Sequence, residues 1–126
     1  MKIVFEKGLL GLEEYKNYEI EDIEDNNLFK ILRSLDDEEI SLVIISPFDV
    51  DEEYEVEISK EVIESLSISE EKNVELFTTV TLNSNISKTT TNLRAPIVIN
   101  KETNHGEQII LSNEKYKIKH LISKEW

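Results

Sequence analysis

The 126-residue chain contains no cysteine, only three glycines, two prolines and two histidines. Without cysteine there is neither a disulfide framework nor a thiolate metal site. With so few glycines no phosphate-cradling loop is recognisable: Gly8-Leu9-Leu10-Gly11 has no third glycine and no following Lys-Ser/Thr. A Gly-x-Ser-x-Gly nucleophile elbow is missing as well. Neither His105 nor His120 has a second ligand at helical or hairpin spacing, so a shared metal or catalytic centre is not expected. No apolar run is long enough to cross a bilayer, and the opening MKIVFEKG lacks the apolar stretch of a secretory signal. The expectation is a soluble, cytoplasmic chain of one domain, residues 1–126, large enough to bury roughly two-thirds of its unfolded surface.

Basic residues are also scarce, 14 Lys and Arg against 27 Asp and Glu, for a net charge of −13. The imbalance is uneven. Residues 1–83 carry seven basic and 23 acidic side chains, a net of −16, whereas residues 84–126 carry seven and four, a net of +3. Such a field repels nucleic acid phosphates and anionic lipid and speeds encounter with a basic protein. It also serves simply to keep a domain soluble, and charge alone does not separate the two.

Most of what is present reads as strand. Ile3 and Phe5 alternate with their neighbours, as do Tyr18 to Asp22, and Val74, Leu76, Thr78, Val80 and Leu82 share one face at a period of two. Leu42 to Ile45 and Ile97 to Ile99 are short β-branched runs suited to buried strands. Gln108 to Leu111 and Lys117 to Ile122 complete the set, with Asn104-His105-Gly106 in a loop between two antiparallel strands. Leu28 to Ser34 fits a helix as well as a strand, and a strand is expected. One helix is predicted: Ser59 caps it, Glu61 lies in the first turn, Val62, Ile63 and Leu66 form its apolar stripe, and Ile58 and Ile63 are placed for a hydrophobic staple. The expected class is mainly β, an antiparallel barrel-like single domain with one or two short helices.

The acidic runs do not read as metal or acid–base sites. Asp49-Val50-Asp51-Glu52-Glu53 opens like a calcium loop, but Tyr54 stands where the turn needs glycine and Lys60 where it needs glutamate. Asp36, Asp37, Glu38 and Glu39 have nothing beside them to bury one carboxyl and raise its pKa, so a solvated turn is expected. The most unusual string runs from Thr89 to Asn100, where Pro96 opens an apolar strand at the position where its missing amide costs least. Asn92 and the threonines can serve local backbone groups or expose their polar groups on a rim.

This string, Thr91-Asn92-Leu93-Arg94-Ala95-Pro96-Ile97-Val98-Ile99-Asn100 followed by Glu107-Gln108-Ile109-Ile110-Leu111, resembles the C-terminal signature of the FliW family. Gly8-Leu9-Leu10-Gly11-Leu12-Glu13 resembles that family's G-L-P-G-F-E turn, with Leu10 and Leu12 standing in for proline and phenylalanine. Ile31-Leu32-Arg33-Ser34, Ile44-Ile45-Ser46-Pro47-Phe48 and Tyr54-Glu55-Val56 with the helix after it match in order and spacing. Family members commonly have a further strand ahead of the position of Met1, and without it an edge is left exposed or must be covered by another strand.

The resemblance implies a non-enzymatic flagellar assembly factor that is a monomer when free and needs no cofactor. It implies binding to the basic translational repressor CsrA by an allosteric mode, with RNA mimicry the lesser option, and to flagellin, which competes CsrA away. The acidic clusters Asp36, Asp37, Glu38, Glu39 and Asp49, Asp51, Glu52, Glu53 are expected to steer CsrA. A rim at Thr91, Asn92 and Gln108 is expected to form a second contact, with flagellin. Two rivals remain, a barrel module with no flagellar role and a small enzyme with an unrecognised site.

Overall fold

In the computed structural model, which describes residues 1–122, the alternating segments become nine strands. They are β1 (Lys2–Val4), β2 (Asn17–Ile23), β3 (Asn26–Ser34), β4 (Ser41–Ile45), β5 (Val74–Thr81), β6 (Thr90–Thr91), β7 (Ile97–Asn100), β8 (His105–Gln108) and β9 (His120–Leu121). Helix α1 (Lys60–Ser65) and three single 3-10 turns, at Pro47–Asp49, Glu71–Asn73 and Ile86–Lys88, complete the described elements. All strands belong to one sheet in the order β4-β3-β2-β1-β8-β7-β5-β6-β9, and β4 also pairs with β5. Hydrogen bonding therefore runs in a ring through seven strands, with β6 and β9 branching from β5. The arrangement is mainly β and barrel-like, as expected. Every pairing is antiparallel except that of β1 with β8, where Val4 meets His105. That parallel contact covers the edge of β1 that would otherwise lie open.

Inside the ring, Ile3, Phe5, Leu9, Tyr18, Leu32, Ile44, Phe77, Ile97 and Ile99 form the main core. Register explains its composition: Ile20, Leu32 and Leu42 stand opposite one another across β2, β3 and β4, so they point to the same face. Leu28 to Ser34 is strand, its helical spacing overridden by pairing on both sides. The face Val74, Leu76 and Val80 packs outside the ring against two further clusters, while Phe77 on the opposite face of β5 enters the main core. Leu82, expected on that face, lies beyond the strand and is exposed.

Helix α1 begins where Ser59 accepts the amide of Val62 at 3.2 Å, and it packs Val62 and Leu66 against Val98. Six residues are too few to stay helical alone, so this packing and the cap at its far end hold it. That cap is Asn100, fully buried, whose Nδ2 donates to the carbonyls of Leu66 at 2.8 Å and Ser67 at 3.2 Å. Ile58 and Ile63 line one hollow beside the helix; Ile58 also packs on the cluster of Val62, Leu66 and Val98, while Ile63 is exposed.

Further boundaries differ from expectation, and of Gln108 to Leu111 only Gln108 is strand. The turn between β7 and β8 is Lys101 to Asn104, with Asn104 in the left-handed region at φ 58°, and His105 and Gly106 are already strand. Gly106 belongs there because a Cβ would come within 2.5 Å of the Phe5 ring, so the strand needs its lack of a side chain. Lys117 to Ile122 is strand only at His120 and Leu121, at the end of the sheet, while the Lys117 carbonyl accepts the Leu93 amide and the Ile122 amide donates to the Thr89 carbonyl outside the strand. Both prolines follow trans peptide bonds.

Candidate partner-binding surfaces

Strand β4 sets the position of both acidic clusters. Asp36 to Glu39 forms the turn leading into it and Asp49 to Glu53 the loop leaving it, so the two lie at opposite ends of a five-residue strand, about 15 Å apart along its axis. They are two patches, one at each end of β4.

The first patch is only partly free. Asp36 accepts from the amides of Lys16 at 2.8 Å and Asn17 at 3.0 Å and from the Asn17 side chain at 3.1 Å. The backbone amides of Asn17 and Lys16, then the Asn17 side chain, hold its carboxyl below the usual range. Asp37 accepts the hydroxyl of Tyr15 and the amide of Glu39, while Ser34 receives the amides of both aspartates. Glu38 and Glu39 project into solvent and form no ion pair among the described residues.

In the second patch Asp51 closes its own turn by accepting the amide of Glu53 at 3.0 Å, and Val50 and Tyr54 are buried beneath. Asp49, Glu52 and Glu53 stay exposed and unpaired among the described residues. With Phe48 and His120 the loop borders a shallow cleft of about 500 Å³. His105 lies elsewhere, on β8, with Nδ1 3.7 Å from Glu6. Among the described residues no group of three His, Asp or Glu side chains is placed to hold a metal ion.

The expected rim at Thr91, Asn92 and Gln108 is a bracing network instead of an exposed surface. Thr91 is 1% exposed and its hydroxyl lies 2.7 Å from both Thr78 Oγ1 and the Thr79 carbonyl. Its burial follows from pairing on both sides, with β5 and β9. Asn92, half-buried, turns the chain by accepting the amides of Arg94 at 3.0 Å and Ala95 at 3.1 Å. Gln108, also half-buried, donates to the Ala95 carbonyl at 2.9 Å and accepts the amide of Leu10 at 3.0 Å. Leu10 occupies the position where the resemblance has proline, and a proline has no amide to give that bond.

The segment is locked from the other side by two residues to which the sequence reading gave no role in it, Arg94 and Tyr116. Arg94 Nε donates to the Tyr116 carbonyl at 2.9 Å and Nη2 to the Glu114 carbonyl at 3.3 Å. The Tyr116 hydroxyl accepts the amide of Glu55 at 2.8 Å, which ties the C-terminal segment to the stretch after the second acidic loop. No spacing rule pairs Arg94 with residues some 20 positions later, so only the fold reveals the lock.

The FliW protein family model matches residues 1–122 of this chain. A flagellar assembly factor FliW from a Clostridium botulinum strain is 48% identical over 124 residues, covering 98% of this chain and 88% of the relative. One from Clostridium beijerinckii is 48% identical over 117 residues, covering 93% and 83%. A crystal structure of the flagellar assembly factor FliW superposes with a TM-score of 0.92 at 35% identity, covering 98% of this chain and 86% of that one.

Proposed function

Because the chain belongs to the FliW family, we propose that it is a flagellar assembly factor that binds the RNA-binding repressor CsrA in the cytoplasm and so relieves repression of flagellin synthesis. Unsecreted flagellin competes for the protein and thereby sets its own translation. The protein works by surface contact and carries out no reaction of its own.

The observation that carries this reading is the acidity of residues 1–83, net −16, with eight of the 23 acidic side chains gathered in the two loops at the ends of β4. A basic RNA-binding protein is the partner such a field favours. Glu38, Glu39, Asp49, Glu52 and Glu53 are the steering charges. Asp36, Asp37 and Asp51 shape the loops that display them. Flagellin takes the surface over the segment from Thr91 to Ala95, with Thr91, Asn92 and Gln108 holding that segment from beneath. CsrA is antagonised allosterically, away from its RNA groove.

Titrating purified CsrA into the protein, then adding flagellin, tests the reading. Saturable binding of CsrA, reversed by flagellin, is expected. A transient complex of RNA, CsrA and this protein is expected on mixing all three, and strict exclusion of RNA favours mimicry. If neither CsrA nor flagellin binds, or is recovered with the protein from native cytosol, a non-flagellar module replaces this reading.

A further inference from the structure

Between the second acidic loop and helix α1, residues Glu55 to Ile58 have the side-chain alternation of a strand without a strand's partner. Glu55 and Glu57 are exposed, while Val56 and Ile58 turn inward onto the apolar clusters. Val56, Glu57 and Ile58 form no backbone hydrogen bond among the described residues. Their amides and carbonyls are thus unpaired with other backbone groups among the described residues, as along an edge strand.

Beside this stretch lie two adjoining hollows of about 540 and 420 Å³ that share Val56, Glu57, Ile58, Glu71 and Val74. Phe48 at 46% exposure and Ile63 at 38% offer apolar contact at either end. Every charged residue lining the two hollows is a glutamate: Glu55, Glu57, Glu70 and Glu71. Lys72, next to Glu71, pairs its ammonium with Glu70 on the exposed rim, and Lys60 and Lys115 lie on the other side of the stretch, outside the two hollows.

We infer that Glu55 to Ile58 and the groove beside it receive an extended segment of a partner protein, with alternating apolar side chains interleaved with lysine or arginine, which adds to this stretch as a strand. Backbone pairing supplies register, the hollows take every second side chain, and the four glutamates select for positive charge. A second copy of this chain is disfavoured, because its own charge of −13 meets the same glutamates. The inference extends the proposed partner-binding role and rests on it only in that the occupant is a protein. It stands or falls independently of CsrA and flagellin.

Its test is a nuclear magnetic resonance titration of the intact protein with two short capped peptides, one alternating valine with lysine, the other valine with glutamate. The valine–lysine peptide is expected to shift the amides of Val56, Glu57 and Ile58 saturably and to slow their hydrogen exchange, and the valine–glutamate peptide to do neither. In the doubly exchanged E55K/E57K protein, whose altered residues are exposed and leave the core intact, affinity for the valine–lysine peptide should fall about tenfold or more, the effect of several lost charge pairs. Equal binding of both peptides, shifts centred elsewhere, or no saturable shift overturns the inference. A failure of CsrA and flagellin to bind, with the peptide result intact, removes only the flagellar reading.

Discussion

The hydroxyl of Tyr54 donates a 2.7 Å hydrogen bond to the carbonyl of Leu93, across 39 residues of sequence. Tyr54 closes the second acidic loop, and Leu93 is the buried centre of the Thr91-to-Pro96 segment. The Tyr54 ring also lies 4.6 Å from that of Tyr116, whose hydroxyl receives the amide of Glu55. The loop that carries charge and the segment proposed for flagellin thus share one buried anchor.

Replacing Tyr54 with phenylalanine leaves the Leu93 carbonyl buried without its donor, a loss of about 1–3 kcal/mol. Tyr18 provides the contrasting case. It packs edge-on to Phe5 with centroids 5.4 Å apart, and its buried hydroxyl has no hydrogen-bond partner among the described residues. Tyr18→Phe should therefore be neutral or raise stability by up to about 1 kcal/mol. Urea unfolding of the two variants should shift the midpoint in opposite senses or leave Tyr18→Phe unchanged; equal losses would show that the hydroxyl bond at Tyr54 contributes nothing distinctive.

Burial, reinforced by Tyr116, pushes the Tyr54 phenol well above its ordinary pKa, and burial raises Tyr18 in the same direction. A raised folded-state pKa gives stability that is complete below the unfolded phenol value near 10 and declines as pH climbs past it. Unfolding free energy should fall above about pH 10, and Tyr54→Phe should fall less steeply than the parent. Parallel slopes would assign the alkaline loss to other groups.

Asp36 behaves in the opposite way. Its carboxyl is held below the ordinary value by the amides of Asn17 and Lys16, so its contribution is present at neutral pH and is lost as acid takes the pH down through the folded-state value. Asp36→Asn should lower the thermal midpoint at pH 7, and the gap from the parent should close as the pH falls below the ordinary aspartate value of about 3.9. A gap that persists in acid would mean that shape, not ionisation, makes the contribution.

Gly106→Ala brings a methyl within 2.5 Å of Phe5 in the main core and should cost about 1–3 kcal/mol by overpacking. Phe5→Leu removes the obstructing ring edge. The double variant should then be more stable than the sum of the two single losses predicts, and strict additivity would dissociate the two positions.

Where periodicity and pairing agree, the fold was legible from residues alone: the alternation read from Val74 to Leu82 holds as far as Thr81, and the β-branched runs of β4 and β7 and the Ser59 cap appear as read. Leu28 to Ser34 was ambiguous locally and was decided by neighbours on both edges. The β7–β8 turn was misplaced because Gly106 draws attention as a turn former, whereas its small size serves Phe5 and Asn104 takes the left-handed position. The resemblance placed Thr91 on a rim; its two hydrogen-bonded strand neighbours could not be foreseen. The acidic clusters were visible as charge, but their separation by the length of β4, and the clamping of Asp36 by Lys16 and Asn17, depend on topology.

The account turns on long-range attraction between exposed carboxylates and a basic protein. Stopped-flow association of CsrA with this protein across ionic strength tests it most directly. The association rate should fall by about tenfold or more between low and high salt while dissociation changes little, and lysine in place of Glu38, Glu39, Glu52 and Glu53 should flatten that dependence. An association rate indifferent to salt, in parent and variant alike, would contradict it.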